Sequence, residues 1–154
     1  MKISTKGHYA VQAIVDIALR SEDTPVSLSM IAGRQELSQN YLEQLFVKLR
    51  KANLVKSVRG PGGGYLLSRP SNRITIGDIF DAVDENLVLT ECVDDHEPSG
   101  VRHCSKADDC KTQALWSKLC QHFVDLLHSI TIEDVIKGDF DFAGQTKPRS
   151  SVSL

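Results

Sequence analysis

Apolar residues between Lys6 and Arg20 recur at helical spacing, with Tyr9, Ala10, Ala13, Ile14, Ile17 and Ala18 on one face. Thr5 is placed to cap the start of that helix. A second, shorter helix is predicted over about 28–36, with Ser27 as its cap. A brief turn leads to a third helix capped by Ser38. There Leu42, Leu45, Phe46 and Leu49 stand at i, i+3, i+4 and i+7 and face a core. Asn53 is suited to end the helix in a left-handed conformation. Two short helices with a tight turn, over about 28–51, describe a helix-turn-helix.

The period then changes. Val55 and Val58, the turn Gly-Pro-Gly-Gly-Gly, and Tyr65, Leu66 and Leu67 read as a β-hairpin over about 54–68, the wing of a winged helix. The glycines of the turn are read as letting the backbone approach a partner. Thr75 and Asp78 have capping-box spacing ahead of Ile76, Ile79, Phe80 and Val83. From about Thr112, Trp116, Leu119, Phe123, Leu126 and Ile130 alternate spacings of 3 and 4, a seam suited to a dimerisation helix. The predicted fold is mainly α with a small β-hairpin. A winged helix-turn-helix domain spans 1–84, a cysteine-rich loop 85–111, and a dimerisation helix with a C-terminal helix 112–138. The polar tail, 139–154, is expected to be disordered.

Charge adds a division that hydropathy does not show. Residues 1–80 carry 11 Lys and Arg against 6 Asp and Glu; residues 81–154 carry 7 against 14. The basic half suits a polyanion. The turn is not a phosphate-binding loop, since no Lys-Ser/Thr follows its glycines. No apolar run is long enough to span a membrane, and the opening segment, broken by Gln12 and Asp16, is not a signal peptide. A reducing cytoplasm is therefore expected.

The polar face of the third helix carries Asn40, Tyr41, Glu43, Gln44 and Lys48, behind Ser38. Amides, hydroxyls and a cation are groups that read base edges and phosphates of double-stranded DNA. Glu43 can accept from cytosine N4 but is repelled by phosphate, so it discriminates as much as it binds. Arg59 and Gly60 lie at the base of the wing tip, where an arginine suits a minor groove. No catalytic constellation declares itself, and no enzyme is expected.

Three of the four cysteines, Cys92, Cys104 and Cys110, fall in one acidic stretch. Soft thiolates suit an iron–sulfur cluster, copper(I) or zinc. A zinc site of three cysteines with His103, a metal-free thiol switch, and a cluster-bearing electron carrier remain as alternatives. Cys120, on the seam helix, reads as a buried structural thiol.

At Ser-Val-Arg-Gly-Pro-Gly-Gly-Gly-Tyr-Leu-Leu and Tyr-Leu-Glu-Gln-Leu-Phe the chain resembles the Rrf2 family of bacterial winged-helix regulators, and within it the iron–sulfur cluster regulators. The likeness runs from residue 1 to about 138 and includes Lys-Ile-Ser-Thr-Lys-Gly-His-Tyr-Ala-Val and Ala-Val-Asp-Glu. It implies a homodimer in which each subunit carries a cluster, 2Fe-2S before 4Fe-4S, whose state sets which operators are bound. Control of cluster-assembly genes is the implied role; a nitric-oxide or redox-sensing repressor is the alternative within the family.

The ligand set implied by the resemblance is Cys92, Cys104 and Cys110, with two departures. Eleven residues separate the first two cysteines and five the last two, whereas those regulators space them evenly by five. A longer tether adds little closure entropy. Where those regulators carry a histidine three residues after the last cysteine, this chain has Gln113, a poor ligand for iron. His103, His96 and His8 are the remaining candidates. Some relatives that sense nitric oxide recruit a ligand from the first helix of the other subunit, at the position His8 matches, which makes His8 in trans the leading expectation.

Overall fold

Ser4, not Thr5, stands at the cap of the first helix. In the computed structural model, which describes residues 3–20, 23–90, 93 and 109–140, Thr5 is already the first residue of α1 (Thr5–Ala18). The Ser4 hydroxyl makes no cap bond, because it donates to Glu85 instead. Ala10, Ala13, Ile14 and Ile17 are buried, and Tyr9 and Ala18 pack at the margin of the same core.

Helix α2 (Leu28–Gln35) is capped by Ser27, whose side chain accepts from the Met30 N–H. It stops at Glu36, which takes a left-handed φ of 53°. The buried carboxylate of Asp16 ties α2 to α1 by accepting from Arg34 Nε at 2.9 Å and from Nη2 of the same guanidinium. A forked pair of this kind fixes orientation as well as distance. Helix α3 (Gln39–Lys51) buries Leu42, Leu45, Phe46 and Leu49, the four positions read from the spacing. Asn53 follows with φ 57°, the left-handed stop its position implied.

Strands β1 (Val55–Val58) and β2 (Gly64–Leu67) pair antiparallel, with Val55 opposite Leu67 and Val58 opposite Gly64. A third segment joins them: Val26 and Tyr65 exchange backbone bonds of 3.0 and 2.8 Å. The glycines of the turn serve this internal geometry. Gly60 and Gly62 have φ of 107° and 74°, and a Cβ on Gly64 would overlap the Val26 carbonyl. The close approach that needs Gly64 is thus to the protein's own backbone. Phe46 closes the wing onto α3, its ring 4.6 Å from that of Tyr65.

A short 3₁₀ turn (Ser71–Arg73) leads to α4 (Ile76–Ala82), which opens with the capping box of Thr75 and Asp78. After the cysteine loop come α5 (Gln113–Ser129) and α6 (Ile132–Lys137). Helix α6 opens with its own capping box, Thr131 with Asp134, and the Thr131 hydroxyl holds the Asp134 carboxyl below the usual carboxylate range. Thr75 and Thr131 face each other across an antiparallel bridge in which Ile76 donates to Ile130 and Ile132 donates to Ile74, both at 2.9 Å. Ile132 is fully buried. The end of the chain's described part therefore returns to the core that α1, α3 and α4 build.

Helix α5 does not present the expected seam as one face. Phe123 and Ile130 pack against the chain's own core, and the buried residue is Leu127, one position away from Leu126. Leu115 and Leu119 are exposed. Of the expected seam, Phe123 and Ile130 meet the chain's own core, Trp116 and Leu126 are half-buried, and Leu119 is exposed. No described helix is long and apolar enough to cross a membrane.

Candidate functional site

The polar face of α3 is solvent-exposed among the described residues. Asn40, Glu43, Gln44 and Lys48 are exposed, and Asn40 and Gln44 have no side-chain partner among the described residues. Ser38 sits at the N-cap in extended backbone with no side-chain cap bond, so its hydroxyl is not consumed by the helix. The first turn of α3 has no acidic residue, and the last has Lys48, Arg50 and Lys51. The N–H groups of that first turn favour an anion there, with the Glu43 carboxylate one turn on as the nearby negative charge. Glu43 accepts from Gln39 Nε2 at 3.2 Å, one turn back, which orients the carboxylate along the helix.

Two of the expected reading residues have internal duties. Tyr41 is half-buried, its ring edge-on to Tyr9 with centroids 6.1 Å apart, and so helps fix α3 on α1. Lys48 donates to Asp84 Oδ2 at 2.7 Å. On the wing, Arg59 is exposed and makes no ion pair among the described residues, and Gly60 beside it holds a left-handed φ. Arg59, Asn40 and Gln44 are therefore open to an outside partner.

Sequence reading passed over Asp84 and Glu85. They follow α4 as an acidic pair in the Ala-Val-Asp-Glu stretch, which looks like the solvated end of a helix. Asp84 adopts φ 53°, and Glu85 donates its N–H back to the Phe80 carbonyl at 2.9 Å. The Glu85 carboxylate accepts the Ser4 N–H at 2.7 Å and the Ser4 hydroxyl. Gly7 allows this approach, since a Cβ there would stand 2.9 Å from Glu85 Oε2. Lys6 donates to the Asp84 carbonyl. No local pattern announced these partners, which lie 78 and 81 residues away in the chain.

Of the cysteine set, Cys110 is described. Cys92, Cys104, His96 and His103 lie outside the described residues. Cys110 is half-buried just before α5, its Sγ 3.3 Å from the Thr112 hydroxyl. That hydroxyl, then the Thr112 and Gln113 N–H groups, hold the thiol below its ordinary pKa, outweighing the opposing effect of burial. Gln113 is half-buried at the start of α5. Cys120 is two turns further along, where its Sγ accepts the Leu89 N–H at 3.3 Å and so ties the 85–90 segment to α5. His8 is exposed on α1, its ring 5.5 Å from that of Tyr9. Among the described residues no three His, Cys, Asp or Glu side chains converge as a metal site. A thiol biased toward thiolate at Cys110 has the donor chemistry an iron–sulfur cluster requires.

A family model described as Rrf2, iron-dependent transcriptional regulator, matches residues 3–138. The chain belongs to the Rrf2 family. This Rrf2 chain is 46% identical over 137 residues to the HTH-type transcriptional regulator IscR of Xenorhabdus nematophila, a match covering 89% of this chain and 80% of that one. Among solved structures it is similar to T. potens IscR, at 41% identity and TM-score 0.68 over 96% of this chain and 93% of the other. It is also similar to CymR, the global cysteine regulator of B. subtilis, at 35% identity and TM-score 0.71, covering 91% and 99%. The mainly helical winged-helix architecture and the regulator class, which is not an enzyme class, follow from this membership.

Proposed function

We propose that this protein is a homodimeric transcriptional regulator that reads operator DNA with α3 and the wing and reports iron–sulfur cluster status through Cys92, Cys104 and Cys110. The observation that carries the reading is the combination, in one chain, of an exposed polar α3 face with Cys110 seated at the head of α5 beside the Thr112 hydroxyl. Its likeness to regulators named IscR points the same way.

Asn40, Glu43, Gln44, Lys48 and Ser38 would meet the major groove, with Tyr41 setting the pose of the helix. Arg59, with Gly60 shaping the turn beside it, would enter the flanking minor groove. The cluster, proposed as 2Fe-2S, would be held by the three cysteines and a fourth ligand, His8 of the other subunit before His103 or Gln113. When bound it supplies a redox- and iron-dependent constraint on the loop before α5. A second copy accounts for the outward stripe of α5, where Leu115 and Leu119 are 51% and 42% exposed at helical spacing with half-buried Leu126. A role on operator DNA implies a cytoplasmic protein.

The test is purification without air, with iron and sulfide counted per chain and an absorption spectrum recorded. Replacing Cys92, Cys104 or Cys110 by Ala should each remove the colour. DNA binding is then measured on a duplex selected from a random library, with and without the cluster. A colourless wild-type protein holding zinc would make the site structural. A coloured protein that selects no DNA would make it an electron carrier.

A further inference from the structure

Lys48, the cation of the proposed reading face, is already paired with an anion of its own chain. We propose that Asp84 stands in for a DNA phosphate, holding Lys48 until operator binding or a shift of the 84–90 segment releases it; this rests on the DNA-reading role proposed for α3. The carboxylate accepts from Lys48 at 2.7 Å, and both side chains are open to solvent, at 45% and 77% exposure. An ion pair this exposed is weak and easily exchanged. Its weakness suits it to competition with the dense charge of a duplex.

Asp84 is placed by the backbone rather than by the pair itself. Its left-handed φ turns the chain at the end of α4, its carbonyl receives Lys6, and the next residue, Glu85, is fixed to Ser4 at the start of α1. The same segment runs on to Leu89, whose N–H is held by Cys120 of α5. Cys92 follows three residues later. Asp84 thus lies on a segment tied to α5 through Leu89 and Cys120, while α3 is seated on the core through Leu42, Leu45, Phe46 and Leu49. It is a positioning residue, acting on DNA through Lys48.

The test is a cycle of Asp84→Asn, Lys48→Gln and the double variant in the full chain. Duplex affinity is measured by anisotropy across a salt series, on a selected operator and on a random duplex. Asn tolerates the left-handed backbone; Asp84→Gly, which favours it, is the companion should the first fail to fold. Asp84→Asn should bind both duplexes about 2–5-fold tighter, with the salt slope steeper by about 1. In the Lys48→Gln background the same change should have no effect. A gain that persists there would reduce Asp84 to general repulsion and overturn the proposal, as would no gain in the single variant. If Lys48→Gln alone leaves affinity and slope unchanged while the wild type binds its operator, Lys48 does not touch DNA, and its place in the α3 reading face fails with the proposal. If Lys48→Gln weakens binding but Asp84→Asn does nothing, only the proposal fails.

Discussion

The imidazole of His128 in α5 fills the space that any side chain at Gly77 in α4 would need. A Cβ on Gly77 would overlap the ring itself rather than a flexible tip, and Nε2 of the same ring lies 3.3 Å from Asp81 Oδ2. Histidine on a helix surface is thereby one of the contacts through which α5 seats on the winged domain, beside buried Leu127. Gly77→Ala should cost about 1–3 kcal/mol through overpacking. That corresponds to a fall in melting temperature of roughly 3–10 °C for a chain of this size. Adding His128→Ala should recover part of the loss. A Gly77→Ala protein that melts with wild type would show that α5 does not pack there.

Cys110 should react with iodoacetamide at lower pH than an ordinary thiol when the protein is cluster-free, because the Thr112 hydroxyl and nearby N–H groups favour the thiolate. Thr112→Val removes the first of these donors and should move the midpoint upward. Less thiolate is then present at neutral pH, so alkylation there should slow. Peptide mass spectrometry separates Cys110 from the other cysteines. Equal midpoints in the two proteins would dismiss the hydroxyl's role.

Arg59→Ala should weaken binding to every duplex and lower the salt slope by about 1 if the exposed guanidinium makes the proposed backbone or minor-groove contact. Affinity equal to wild type at all salt concentrations would take the wing off the DNA.

For Glu43→Ala the expected change lies in preference, not strength. The variant loses a selective acceptor together with a charge that repels phosphate, and Gln39 loses its partner. Discrimination at one base pair should fall by about 1–3 kcal/mol. An unaltered consensus from a randomised library would remove Glu43 from the readout.

The fourth ligand is checked by His8→Ala, His103→Ala and Gln113→Ala, each purified without air. Loss or a marked spectral shift in His8→Ala alone supports a ligand from the other subunit. A normal spectrum in that variant, with a change in either of the others, would place the ligand within one chain.

Local signals were legible because their causes are local. Spacing in α3 put Leu42, Leu45, Phe46 and Leu49 inside, since a helix sorts side chains by its own period. Ser27 and Thr75 capped the helices they precede, and Asn53 ended α3, because these bonds and dihedrals span a few residues. The cap at Thr5 fell one residue late: Ser4 and Thr5 are chemically alike, and Glu85, 81 residues away, took the Ser4 hydroxyl. Glycine content announced a tight turn at 60–64, but only tertiary structure showed that Gly64 makes room for Val26.

The sequence by itself thus determined the elements, their inward faces and the chemistry on offer: an open polar face on α3 and a set of thiols. Tertiary structure decided what those groups meet. Lys48 finds Asp84 across 36 residues, Cys120 takes the Leu89 N–H, and α5 rotates so that Leu127 is buried while Leu119 faces outward. An apolar period fixes which residues can share a face but not which neighbour covers it. That choice depends on shape and charge contributed by distant segments, which no local pattern encodes.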